Sequence, residues 1–274
     1  MSIVEIIKQG LHIARTHKSL WLFAFVVGLG TGGSGGAGSG GGGQAAGGGR
    51  GFPVAVILLA GLIVLLSAIV IKFVSEGALI EGVTRAHRQG SLTVREGFRV
   101  GWANWGVLFR ISAIYFAAAF GSLIVLWAPC VIAIRLGNHT AFTLVAIPTA
   151  IVTALWTLTL YMLQAFASRI AVLENRHALD AIRKARLFLH GRMLHALKLT
   201  VAAFVGTLVV VFAGIVALAP VALLLVAAAK LLGGALTLAI GLPILVPAAF
   251  VLIAFIGTVQ SAAWTIGYLT QTER

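Results

Sequence analysis

Long apolar runs, broken only by short segments in which basic and apolar residues alternate, make up most of this chain. Five of them, residues 52–71, 111–134, 142–166, 199–219 and 242–268, meet the need for about 20 residues to carry a helix across roughly 30 Å of hydrocarbon. A sixth opens at Leu20 as LWLFAFVVGL and runs into glycine, so it predicts either a helix carried on a few residues through Thr31 or a half-span. The pattern predicts an all-α polytopic membrane protein with six transmembrane helices, forming a single integral membrane domain over residues 1–274.

The polar segments have a pattern of their own. EIIKQGLHIARTHKSLWLFAFVVGLG from Glu5, EGFRVGWANWGVLFRISAIYFAAAFG from Glu96 and DAIRKARLFLHGRMLHALKLTVAAFVG from Asp180 line up by residue type. Each opens on an acid and places a basic residue three positions on (Lys8, Arg99, Arg183). Basic and apolar residues then alternate until a glycine falls about 25 residues later, at Gly30, Gly121 and Gly206. The unit reads as an amphipathic helix, an outward span and a return span. Three units predict three interfacial helices and a threefold internal repeat. In the third, Leu179, Ile182, Ala185 and Leu189 recur at helical spacing, flanked by Arg183, Lys184 and Arg192. Such a helix is expected to lie in the headgroup layer with this apolar stripe down. The leading acid falls in its first turn, where it complements the helix dipole.

Composition changes the reading of the charges. Only 10% of residues are charged and 60% are hydrophobic; a soluble domain carries about 25% charged residues. A net charge of +13 would suggest nucleic acid in a soluble protein. Here the basic residues sit between apolar runs, so anionic lipid headgroups are the expected partner and nucleic acid is not. Of the 20 lysines and arginines, only Arg50, Arg135 and Lys230 fall in the alternate loops. The rest, with every acidic residue, crowd the other side, which is the cytoplasmic side of the plasma membrane. An even number of spans then places both termini in the cytoplasm. Residues 1–19 become a cytoplasmic amphipathic helix, 75–105 and 169–197 basic cytoplasmic segments, and 31–51 a glycine-rich outer loop. A cleaved signal peptide is the alternative for the first apolar stretch; it would leave five spans and an outer C-terminus.

Candidate chemistry is sparse. Gly28, Gly30 and Gly33 have dinucleotide-site spacing, but a membrane span precedes them where that motif needs a strand. His12/His17 and His190/His195 are five apart, whereas zinc ligands on one helix face stand three or four apart. Cys130 is alone. Glu81 and Arg85 are spaced for an i,i+4 ion pair on a helix surface. Gln164 and Gln260 are the notable intramembrane polar residues, a type that more often joins helices than carries a solute. Prolines cluster toward the outer halves, and the stretch between Pro220 and Pro247 predicts a bent outer cap or a re-entrant piece.

Three stretches, HKSLWLFAFVVGLG from His17, EGALIEGVTRAHRQGSLTVREGFRVGW from Glu76 and SRIAVLENRHALDAIRKARLFL from Ser168, resemble a known family. It comprises uncharacterised bacterial integral membrane proteins related to the membrane domain of glycerophosphoryl diester phosphodiesterases, without the catalytic domain. The resemblance implies an all-α integral membrane domain and carries over no catalytic residue. The expectation is therefore a non-enzymatic membrane protein with no catalytic, cofactor or metal site. It organises a partner protein or anionic lipids at the cytoplasmic face through Arg95, Arg99, Arg183, Lys184 and Arg186. The alternative is a transporter or channel for a small or lipidic solute, in which Gln164 and Gln260 would take part.

Overall fold

A computed structural model describes residues 3–16, 19–36, 54–88, 90, 92–137, 139–191, 193–232 and 234–272. Among these the chain is helical throughout, with no strand: α1 (Ile3–Thr16), α2 (Ser19–Gly36), α3 (Val54–His87), α4 (Val94–Arg135), α5 (His139–Leu173), α6 (Ala178–His190), α7 (Met193–Leu232) and α8 (Gly234–Thr272). In hydrocarbon every backbone N–H and C=O must be satisfied within the segment, and a helix does this for any apolar sequence. Five helices, α3, α4, α5, α7 and α8, are long and apolar enough to cross a membrane, which makes this an all-α, multi-pass membrane protein by class.

Several sequence expectations are redrawn. The second amphipathic stretch is not a separate interfacial helix: from Val94 it runs without a break into the span as α4, 42 residues long. At 1.5 Å per residue that helix is about 63 Å long, twice the hydrocarbon thickness, so a good part of it stands outside. Residues 31–36 of the expected outer loop belong to α2, and the rest of the glycine tract lies outside the described residues. Pro129, Pro148, Pro220, Pro243 and Pro247 all sit inside helices, so the stretch expected as a cap or re-entrant piece is helix up to Leu232 and again from Gly234. Proline is tolerated there because neighbouring groups in a membrane bundle re-satisfy the freed carbonyl.

The chain forms two compact units. In the first, Met1–Trp105 with Val201–Arg274, the packed core gathers at one end of the helices. Phe73, Val74, Leu79, Ile80 and Val83 of α3 are buried with Leu20, Phe23 and Ala24 of α2 and Ala262, Trp264 and Ile266 of α8. Earlier in α3, Leu62, Ile63, Val64, Leu65 and Leu66 are all more than half exposed. Five consecutive bare aliphatic side chains suit hydrocarbon, not water. α1 packs on α8, with Gly10 against Val259 and Ala262 and with Ile13 and Ala14 buried, and the Trp21 indole donates to Ala14 O at 2.7 Å, fixing the elbow between α1 and α2. Residues 73–84, expected largely as a basic segment, thus supply much of this core.

The second unit is Gly106–Thr200. Gly137, at φ +66°, ends α4 in a left-handed turn that glycine adopts without strain. α6 packs on the end of α5 through Ala178, Ala181, Ala185 and Leu189, which are buried, and the Phe166 and Phe188 rings meet at 5.4 Å.

Candidate functional site

The first candidate surface is built by the start of α4. Thr93 and Glu96 form a capping box: Thr93 N–H donates to Glu96 Oε2 at 3.2 Å, and Glu96 N–H to Thr93 Oγ1 at 3.4 Å. Arg85 of α3 reaches the same carboxylate at 4.0 Å and bonds Glu81 at 2.9 Å, the pair that the spacing predicts. One turn on, Gly97 and Gly101 face inward. A Cβ on Gly97 would stand 2.9 Å from the Phe23 ring, and one on Gly101 would strike the carbonyl of Val74. With the glycine face turned to α2 and α3, the opposite face is fixed. It carries Arg95, Phe98, Arg99 and Trp102, at the i, i+3, i+4, i+7 spacing of one stripe, all exposed. Phe98 stacks near Trp102 (centroids 6.1 Å apart, 19° between planes), and Trp102 stands 6.4 Å from Trp105. Tryptophan beside arginine is the composition of a membrane–water interface: the ring sits among headgroups and the guanidinium meets phosphate.

The second surface, in the other unit, is α6. Its alanine face is spent on α5, so the expected stripe is only partly right. Ala185 and Leu189 are buried against protein rather than turned to lipid, Ile182 is half-buried, Leu179 is 65% exposed, and Ala178 and Ala181 complete the packed face. The helix does not offer that stripe to lipid as a whole, because protein covers Ala185 and Leu189. What it turns outward is a different face, with Leu179 and Leu187 interleaved with Arg183 and Arg186. Lys184 leaves the candidate set. Its ammonium donates to both oxygens of Glu174, at 2.7 and 2.6 Å, and Arg176 holds the same carboxylate at 2.9 Å. The pairing depends on the turn between α5 and α6, where Asn175 takes φ 50°, a left-handed conformation that asparagine tolerates. Lys184 therefore braces α6 through Glu174.

The intramembrane glutamines separate as well. Gln164 of α5 donates its amide to Ser112 Oγ of α4 at 3.1 Å, and Trp156 donates to Ser122 at 2.9 Å along the same two helices. These bonds tie one helix to the next. Gln260 is half-buried on α8 in the other unit. No group of three or more histidine, cysteine, aspartate or glutamate side chains comes together among the described residues.

The capping box and the Gly97/Gly101 pair were readable, as T-x-x-E and as small residues four apart, yet neither entered the candidate set. Arg169 is 7% exposed, and its guanidinium donates to Ala165 O at 2.5 Å.

The structure therefore defines a helical multi-pass membrane protein with two outward basic–apolar faces. No family model, no curated protein and no solved structure matches the chain.

Proposed function

We propose that this chain is a non-enzymatic protein of the plasma membrane, with six spans and both termini in the cytoplasm, that gathers anionic phospholipids or holds a partner protein at the cytoplasmic face. The observation that carries this reading is the exposed stripe of Arg95, Phe98, Arg99 and Trp102, set opposite a glycine face that cannot turn away from α3. The outward face of α6, with Arg183 and Arg186 between Leu179 and Leu187, supports it independently. Support for a threefold repeat comes from Glu5, Glu96 and Asp180, each in the first turn of its helix, α1, α4 and α6. Lipid is the better-supported occupant, because aromatic rings beside arginines suit headgroup and acyl chain together.

Replacing Arg95, Arg99, Arg183 and Arg186 with glutamine tests this directly. Each basic residue near an anionic surface contributes about 1 kcal/mol, so even with large losses to screening the quadruple change should lower binding of anionic lipid at least about tenfold. Lys184→Gln, neutralising a residue already paired to Glu174, should leave lipid binding nearly unchanged and lower thermal stability instead. Binding is read as anionic lipid retained per protein through detergent exchange. Equal losses from Lys184→Gln and from Arg183→Gln would show that bulk charge, not these two faces, sets the affinity.

A further inference from the structure

α1 carries a third basic constellation that neither outward face uses. Lys8, His12 and Arg15 stand at i, i+4 and i+7, on one side of the helix, spread over about 10 Å of its length. With Leu11 they line an open depression of about 310 Å³. The other side of α1 is pinned: Gly10 lies against Val259 and Ala262 of α8, Ile13 and Ala14 are buried, and the Trp21 indole holds Ala14 O. The trio therefore cannot rotate into the protein. Thr16 Oγ1 donates to His12 O at 2.8 Å, steadying the same turn.

Among the described residues this trio shares with Arg95, Arg99, Arg183 and Arg186 the lack of a salt bridge, although Glu5 stands one turn before Lys8 on the same helix. Arg85, Arg176 and Lys184 each meet a carboxylate, but among the described residues no ion pair joins Lys8, His12 or Arg15 to an acid. An ammonium, an imidazole and a guanidinium around one depression offer a point charge, a directional N–H donor and a planar fork, a combination suited to the oxygens of a phosphate group. Leu11 adds an apolar wall, which a phosphate ester with a glycerol or acyl portion would use and a bare inorganic ion would not.

We propose that Lys8, His12 and Arg15 of α1 form a binding site for a phosphate ester, the headgroup of an anionic phospholipid. The site does not depend on α4 or α6 and fails or stands separately from the function proposed above.

The test uses the full chain in micelles, labelled at histidine, with the His12 ring signal identified by its loss in His12→Gln. Short-chain phosphatidic acid, short-chain phosphatidylcholine and inorganic phosphate are titrated in turn. The expected result is a saturable shift of the His12 signal with phosphatidic acid, weakened at least about tenfold in Lys8→Gln/Arg15→Gln. Lys8→Arg/Arg15→Lys, which keeps both charges, should bind nearly as the parent does and guards against a merely misfolded variant. A response of equal affinity to inorganic phosphate assigns the site to the free ion and overturns the lipid assignment. No saturable shift with either phosphate source, equal affinity for phosphatidylcholine, or unchanged affinity in the glutamine variant overturns the site.

Discussion

Gly101→Ala should lower the melting temperature of the purified protein by roughly 2–8 °C, while Gly106→Ala leaves it level or raises it slightly. Two effects oppose each other in this pair. Alanine is a better helix former than glycine by about 1 kcal/mol, and on that ground alone both changes would stabilise. At Gly106 nothing stands within 4 Å of the new methyl, so the propensity gain is all that remains. At Gly101 the methyl meets the Val74 carbonyl, which is backbone inside α3 and cannot swing aside as a side chain would. Overpacking of this kind costs about 1–3 kcal/mol and sometimes more, enough to reverse the sign. For a chain of this length each kcal/mol moves the melting temperature about 2–4 °C. Displacing α4 also re-aims Arg95, Phe98, Arg99 and Trp102, so lipid retention should fall with stability. A thermal scan in detergent with both variants settles the matter. The same response at both positions would mean that α4 does not approach α3 as described.

The second large effect is expected from Ala181→Leu. Ala181 is fully buried between α6 and α5, and three added heavy atoms have nowhere to go. At 13 residues α6 is near the length at which isolated helices are marginal, so its helicity depends on α5. A cost of about 2 kcal/mol is enough to raise the population of the detached helix by more than tenfold. Trypsin then reaches the peptide bonds after Arg183 and Arg186, and cleavage there should speed up in proportion while opening and closing remain fast. Leu187→Ala, at a side chain 77% exposed, should leave the cleavage rate unmoved. If Leu187→Ala loosens the segment and Ala181→Leu does not, the packed and outward faces of α6 have been assigned the wrong way round.

These two variants also mark how far the sequence could be read. Spans were legible because a run such as 199–219 is apolar on every side, and only a helix satisfies such a backbone in lipid. The amphipathic segments were legible as helices, but which side of α6 faces protein was not. Alanine reads as a weak hydrophobe beside leucine, so Leu179 looked like the stripe. Close packing of α6 on α5 is made mostly by the smaller residue, with Leu189, and Leu179 and Leu187 are left outside. Lys184 was indistinguishable from Arg183 by type and spacing. Its removal from the candidate face comes from Glu174, ten residues away across a turn that no periodicity announces. Breaks between helices were also hard to read. The basic, tryptophan-rich stretch opening at Glu96 looked like a separate interfacial helix, yet nothing in it stops a helix and α4 continues through.

The most direct measurement is the lipid composition carried by the protein when it is extracted with its native membrane in polymer discs. Lipids are counted by mass spectrometry against the bulk membrane, and any protein held in stoichiometric amount is identified in the same sample. Gathering of anionic phospholipid at the Arg95–Trp102 and Arg183–Leu187 faces predicts anionic lipids enriched several-fold over bulk, with the excess lost in the quadruple glutamine variant. A stoichiometric protein with no lipid enrichment would make the partner, not lipid, the occupant of these faces. A disc with the bulk lipid composition and no bound protein would contradict the proposed function.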